Sequence, residues 1–348
     1  MCRTLHVGQR ITLDDTRGSH RVWTVRSTHP RGVLATAVRT SWVGTGTVLH
    51  AEGGARATVG LLAAVPAHLL LRPGQDLVLT RDCAPVPAPA GGQARIGCTL
   101  AAAFDHARIG DAVHLDDGRI SGTVAAVGPD ELRVRITGAD PQGSKLRAGK
   151  GINLPNTVLP VGALTATDRG LLPFVAAHAD LVDVSFVRSA EDVREVLAAL
   201  DGLAADHLGM VLKIETAQGF AALPDLLLAA MVRPRVGVMI ARGDLAVEVG
   251  FERMAELQEE ILWLCGAAHL PVVWATQVLD QLARTGHPSR PEITDAATGV
   301  RAECVMLNKG PHVLSAVTTL ADVLVRMARH QDKEVPLLGR LRSWPHPV

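Results

Sequence analysis

The sequence predicts an α/β protein in which a small barrel or sandwich of short strands precedes a series of parallel βα units. Three observations predict it. The texture changes near residue 150, from short Val-, Ile-, Leu- and Thr-rich runs broken by Gly, Pro and Asp to a strand–helix alternation. The later apolar runs are continuous rather than alternating, as in strands covered on both faces. Finally, three of those runs end in residues that an apolar core cannot hold: "MVLKIETAQG" (210–219), "VGVMIARGDLAVEVG" (236–250) and "VVWATQVLD" (272–280).

In the first region one loose phrase recurs, in "VGQRITLDD" (7–15), "PGQDLVLTRD" (73–82) and "IGDAVHLDDG" (109–118). Each is a Gly-bearing turn followed by alternating apolar residues. Asp117-Gly118 between two alternating runs is a hairpin signal, and "ELRVRI" then alternates strictly. The Pro-, Ala- and Gly-rich stretch 83–94 reads as a loop. In the second region the strands are 181–186, 209–214, 236–241, 271–276 and 303–308. Helical patterns follow them. Ser189 stands as an N-cap with Asp192 three residues on, and Met254, Leu257, Ile261, Leu264 and Cys265 form one stripe. Alternating βα units imply a parallel sheet. The Met and Trp residues at 231, 239, 263 and 274 read as core packing. The tail, residues 331–348, shows no period and reads as loosely ordered.

Composition narrows the function. With 47% hydrophobic residues in 348, a sizeable core is affordable, and zero formal net charge with no polybasic block argues against a nucleic-acid or membrane-surface partner. Five widely spaced cysteines without a CxxC pair suit free thiols in a reducing compartment. The start, "MCRTLHVGQRITL", lacks an apolar signal-peptide core, and "GLLAAVPAHLLL" is too short to span a bilayer. A cytoplasmic protein is expected. No HExxH, nucleophile elbow or Walker lysine occurs.

Attention therefore falls on the strand ends, where parallel α/β folds carry their chemistry. Lys213 and Glu215, two apart, share a face. Asp244 follows the third strand and Thr276 ends the fourth. Two carboxylates at one sheet edge suit magnesium, which takes one or two carboxylates and leaves positions for substrate oxygens. A lysine beside them suits a phosphoryl group or a developing enolate. A helical turn starting near Gly243 offers N–H groups to an anion. The same residues also admit a structural Lys213–Glu215 ion pair and an Asp244 helix cap.

These residues resemble the pyruvate kinase family. "GDAVHLDDGRISGTV" is similar to its B domain and "KGINLPNTVLPVGALTATD" to the return into the barrel. "DLVDVSFVRSAEDV", "LKIETAQGF", "VGVMIARGDLAVEVG", "PVVWATQVLDQL" and "PSRPEITDAATGVRAECVML" follow in order, so the likeness runs over about residues 109–325. It implies a partial TIM (β/α) barrel of about five βα units at 153–330, preceded by a β-rich, B-domain-like region at 1–152. It further implies phosphoryl transfer from phosphoenolpyruvate to ADP, giving pyruvate and ATP. By position, Lys213 would stabilise the transferring phosphoryl group and the enolate, Glu215 and Asp244 would hold Mg2+ or Mn2+, and Thr276 would assist protonation of the enolate carbon. Ala241, Arg242 and Gly243 would lie where the substrate carboxylate is held, with Ser185 and Phe186 lining the mouth.

The departures from the family are as informative. Three barrel strands that precede the B domain in the family, with a phosphate-gripping arginine and the ligands for K+, have no counterpart in the sequence. The expectation is a barrel completed by a homo-oligomer or a second chain, or else a non-catalytic fragment, with little turnover by the chain alone. The other enzyme class to weigh is the metal-dependent pyruvate or acyl-CoA aldolase-lyases, which also carry an "IET" strand and a "GDLA"-like turn. Lys213, "WATQVL" and "KGINLP" argue against it.

Overall fold

The computed structural model describes residues 5–16, 18–30, 32–62, 68–84, 93–328 and 330. They fall into two compact units, 1–67 and 68–348. Most of the loop expected at 83–94, and the tail expected at 331–348, lie outside the described residues.

The first unit is one antiparallel sheet of β1 (Arg10–Asp14), β2 (His20–His29), β3 (Gly32–Ala37), β4 (Val48–Ala51) and β5 (Arg56–Thr58), in the order β3-β2-β1-β4-β5. Its small core joins Leu5, Ile11, Val25 and Ala51. Beside it the buried carboxylate of Asp15 accepts from Arg21 Nε at 2.8 Å and from the Ser19 N–H at 3.0 Å, which meets the rule that buried charges are paired.

The second unit opens with β6 (His68–Leu71), β7 (Asp76–Thr80), β8 (Ala94–Gly97), a short helix α1 (Ala102–His106), β9 (Ala112–Leu115), β10 (Ile120–Val127), β11 (Glu131–Gly138), β12 (Ser144–Arg147) and β13 (Ile152–Asn153). Six of these make a mostly antiparallel sheet, β13-β9-β10-β11-β7-β8, and β12 pairs with β6. The strict alternation of β11 is realised: Leu132, Val134 and Ile136 are buried and the residues between them exposed. Gly122 on β10 is required, since a Cβ there would lie 2.8 Å from the Arg135 carbonyl oxygen. The hairpin expected at Asp117-Gly118 forms between β9 and β10. Asp116, Asp117 and Gly118 all take positive φ (53°, 57° and 77°), which Asp and Gly tolerate better than other residues.

The remainder alternates strand and helix. The order is α2 (Ala166–His178), β14 (Leu181–Val184), α3 (Ala190–Asp201), β15 (Gly209–Ile214), α4 (Ala217–Ala221), α5 (Leu223–Ala230), β16 (Val236–Ala241), α6 (Arg242–Val249), α7 (Phe251–Ala267), β17 (Val272–Val278), α8 (Asp280–Thr285), α9 (Arg290–Thr298), β18 (Cys304–Leu307) and α10 (Val313–Met327). The five strands are parallel and pair strictly in chain order, so this part of the chain is a partial (β/α) barrel. The first strand stops at Val184, short of the expected 186, because Phe186 turns to φ 52°.

Period-2 alternation sorts the side chains. Met210, Leu212, Ile214, Val236, Val238, Ile240, Val272 and Trp274 join the helices in one large core. Val211, Met239 and Ala275 make a smaller cluster on the other face with Val273 and Met306. The α7 stripe packs as read, with Met254, Leu257, Ile261 and Cys265 buried and Leu264 partly so. Met231 departs from its reading as core. It stands at the C-cap of α5, where the chain leaves the helix, and is exposed.

Two predictions follow from this packing. The Ser189–Asp192 capping box is complete, and the buried Asp192 carboxylate also accepts the backbone N–H groups of Ala163 (3.2 Å) and Arg188 (2.9 Å). Asp192→Ala strands several donors at once and is expected to lower stability by about 3 kcal/mol in urea denaturation, with Asp192→Asn milder.

Half-burial lowers the pKa of His114 on β9 below its ordinary 6.5. The unfolded chain therefore takes up this proton first, so the stability from a neutral His114 is full above 6.5 and is lost as pH falls from 6.5 through the folded value. Urea midpoints measured on either side of pH 6.5 should fall less on acidification in His114→Gln than in the unaltered chain.

Candidate functional site

Lys213 is the penultimate residue of β15. Ile214 after it points into the helix-side core, so Lys213 and Glu215 both face the sheet's other side, at its carboxyl edge. Just past the end of β14, Ser185 and Phe186 reach the same place. Lys213 Nζ donates to Ser185 Oγ at 3.0 Å and lies 3.0 Å from Glu215 Oε1. The positive φ of Phe186 aims its backbone N–H at Glu215 Oε2. Glu215, 3% exposed in its side chain, is thus held from two sides, whereas Lys213 keeps 23% exposure. The structural ion pair weighed from sequence exists. It uses one of the three ammonium protons, and Ser185 takes a second.

The next strand runs into its helix without a loop. Ala241 ends β16 at φ −81° and ψ 71°, and α6 starts at Arg242. The Gly243 N–H donates to Thr276 Oγ1 at 2.6 Å. A Cβ at 243 would sit 3.3 Å from that oxygen and 3.5 Å from Thr276 Cβ, so glycine is what admits the approach. Thr276 has φ 65° and Gln277 φ 58°, although a β-branched residue resists the left-handed region. The Arg242 side chain turns away to Ala275 O (2.9 Å), Thr276 O (2.8 Å) and Asp295, with its guanidinium 4.4 Å from the centre of the Trp274 ring.

Negative charge is in excess around α6. Burial raises the pKa of Asp244 above the ordinary carboxylate value, and the charges of Glu215 and then Asp117 raise it further, while Lys213 works the other way. Burial also raises Glu248, against a hydrogen bond from Asn153 Nδ2 at 3.3 Å. Asp117 belongs to the β9–β10 hairpin, and a Cβ on its neighbour Gly118 would touch Val247 of α6, so the hairpin tip lies against this helix. Among the described residues no group of three or more His, Cys, Asp and Glu is arranged for a metal. What suits a divalent cation is narrower: two carboxylates, Glu215 and Asp244, with repulsion a cation would relieve.

Every residue singled out from the sequence stands at this edge. Lys213, Glu215, Ser185 and Phe186 form one connected group, and Ala241, Arg242, Gly243 and Thr276 another. Asp244 is coupled electrostatically to the first group and stands next to Gly243 in the second. Sequence reasoning did not single out Asp295, Glu248 or Asn153, and it read Asp117 as a turn residue. The missed signal was Arg242: an arginine directly after a buried strand needs an acid, and Asp295 on α9 supplies it.

Among the described residues no helix is long and apolar enough to cross a membrane. The chain is 32% identical over 248 residues to a pyruvate kinase of Geobacillus stearothermophilus, which covers 68% of this chain and 41% of that protein. It is 32% identical over 240 residues to a pyruvate kinase of Thermococcus litoralis, covering 68% and 48%. The chain thus spans under half the length of these relatives. A crystal structure of a pyruvate kinase from Cryptosporidium parvum superposes with a TM-score of 0.65 at 25% identity, over 77% of this chain and 54% of that one. The family model for the pyruvate kinase barrel domain runs over residues 35–311. A match of that extent, over most of the chain, makes this protein a member of the pyruvate kinase family.

Proposed function

We propose that the protein works as a pyruvate kinase-type phosphotransferase, moving a phosphoryl group from phosphoenolpyruvate to ADP. The observation that carries the reading is the meeting of a partly exposed ammonium, Lys213, with the carboxylates of Glu215 and Asp244 at one strand-end edge. Glu215 and Asp244 would hold Mg2+ or Mn2+, whose chemistry here is to bind and polarise substrate oxygens.

The chain's own groups supply positioning and charge, which is most of what phosphoryl transfer asks of a protein. Lys213 has one ammonium proton beyond those directed at Ser185 and Glu215, and that proton is the donor for a phosphoryl oxygen and then for the enolate oxygen. As the P–O bond to the enol oxygen breaks and one to the ADP terminal oxygen forms, the enolate carbon must gain a proton. Thr276 Oγ1 accepts from the Gly243 N–H, which leaves its own O–H to deliver that proton, regaining one from water, or to orient the water that does. In the state described, the same hydroxyl oxygen occupies the Gly243 N–H at the start of α6. It stands where a substrate carboxylate oxygen would be received.

Eight strands close a (β/α) barrel, and the described residues contribute five parallel strands. Low turnover by the purified chain is therefore part of the proposal, with strands from a second copy or another chain raising it. The aldolase-lyase alternative gains nothing from this geometry, because it has no use for Lys213 in contact with Ser185.

Two measurements test the reading. In a coupled assay of pyruvate formation with phosphoenolpyruvate, ADP, Mg2+ and K+, Lys213→Met is expected to lose about 100- to 1,000-fold of whatever rate the chain shows. An unchanged rate in that variant would sink the proposal. Mn2+ at about 100 times its Kd should stabilise the chain by about 2.7 kcal/mol in thermal unfolding. Asp244→Asn should abolish that gain and, without metal, melt no lower than the unaltered chain, since it removes a repelled charge.

A further inference from the structure

We propose that Asp295 is a positioning residue: through the Arg242 guanidinium it locks the left-handed turn at Thr276–Gln277, and so holds the Thr276 hydroxyl and the start of α6 as one rigid receptor for a substrate carboxylate. The proposal deepens the phosphotransferase reading and rests on it for the identity of the ligand.

β17 pairs with β16 up to Ala241↔Ala275, and its register with β18 breaks between Trp274 and Val278. The carbonyls of Ala275 and Thr276 therefore lie where the ladders give out, and a buried carbonyl needs a donor. Arg242 supplies both, Nε to Ala275 O at 2.9 Å and Nη2 to Thr276 O at 2.8 Å. The turn these bonds hold is costly, since Thr276 and Gln277 are both left-handed and Thr is β-branched. Something must overdetermine it.

Arg242 can do so if its own position is fixed, and three features fix it. Its flat face lies over Trp274, which is fully buried. Its backbone opens α6 directly after β16. Its remaining donors form a two-point pair with Asp295, Nη1 to Oδ1 and Nη2 to Oδ2, the latter at 2.9 Å. Both side chains are largely covered, at 13% and 28% exposure, so water competes weakly for them. Asp295 thus acts at a distance. It hydrogen-bonds to Arg242 and not to Thr276 or Gly243, but without it the guanidinium is an unpaired, mostly buried charge that gains by swinging to solvent. The turn would then relax, and the 2.6 Å contact between Thr276 Oγ1 and the Gly243 N–H would be released.

Because Glu215 is held instead by Lys213 and Phe186, and Asp244 is carried within the first turn of α6 itself, the lock should matter for the anion and not for the metal. The test uses the full chain and the variants Asp295→Ala and Asp295→Glu. Mn2+ affinity is read by electron paramagnetic resonance, phosphoenolpyruvate affinity of the Mn2+-loaded protein by calorimetry, and backbone exchange at 275–279 by hydrogen–deuterium mass spectrometry. Asp295→Ala is expected to keep Mn2+ affinity, lose about tenfold in phosphoenolpyruvate affinity and exchange faster at 275–279, with Asp295→Glu recovering part of both losses. Unchanged exchange at 275–279 in folded Asp295→Ala would overturn the lock, whatever the ligand does. A parallel fall of Mn2+ and phosphoenolpyruvate affinity would overturn it in favour of a general structural role. Failure of the unaltered chain to bind phosphoenolpyruvate while exchange still rises in the variant would overturn the receptor and the phosphotransferase reading, and leave the lock as a purely structural device.

Discussion

A parallel strand cannot turn back on itself, and the rest of the second unit depends on that constraint. Each strand must be followed by a crossover, here a helix, before the next can start. All five carboxyl ends then lie along one edge, and β14, β15, β16 and β17 deliver residues there from the last part of each strand or from just past its end. Lys213, Glu215, Ser185, Asp244 and Thr276 are separated by up to 91 positions in sequence, counting from 185 to 276, yet the topology leaves them one edge to share. The helix-side core of Leu212, Val238, Ile240 and Trp274 keeps the strands in register, so the polar groups at their ends are placed by apolar packing beneath them.

At that edge, opposite charges are not balanced one for one. The Lys213–Glu215 pair is internally satisfied, and Arg242 is matched to Asp295. Asp244 feels two other carboxylates, which together with burial outweigh the pull of Lys213. A fold selected for stability alone has no reason to keep a half-buried acid beside two others. The imbalance is the electrostatic feature on which the proposed metal site rests. It also explains why the hairpin tip bearing Asp117 belongs to the site's electrostatics although it comes from the antiparallel sheet.

Much of this was legible in the sequence, for identifiable reasons. Continuous apolar runs gave the parallel strands to within two residues, because burial on both faces leaves no room for alternation. Ser189 and Asp192 announced their helix because capping chemistry is local. Lys213, Glu215, Asp244 and Thr276 stood out because a charged or polar group at the end of an apolar run has to be explained. The Asp295–Arg242 pair was not legible, since it joins positions 53 apart and only the fold brings them face to face. Nor was the left-handed Thr276 turn: Thr carries no signal for positive φ, and the geometry is imposed by Arg242 from outside. Phe186 failed as a strand residue for a similar reason, because its N–H is drawn to Glu215.

The parallel sheet pairs its strands strictly in chain order, whereas the antiparallel sheet of the same unit must bring β7 next to β11 and β13 next to β9. In the first case every strand contact closes a loop of about one βα unit, and the entropy cost of each closure is small and similar. Such a sheet can grow from any adjacent pair, one unit at a time, much as a stack of repeats does. The β-rich part lacks that freedom. Its β7 has to wait for β11 and its β9 for β13, so it should be the slower half to assemble and the half whose ordering is most sensitive to what the ribosome has already released.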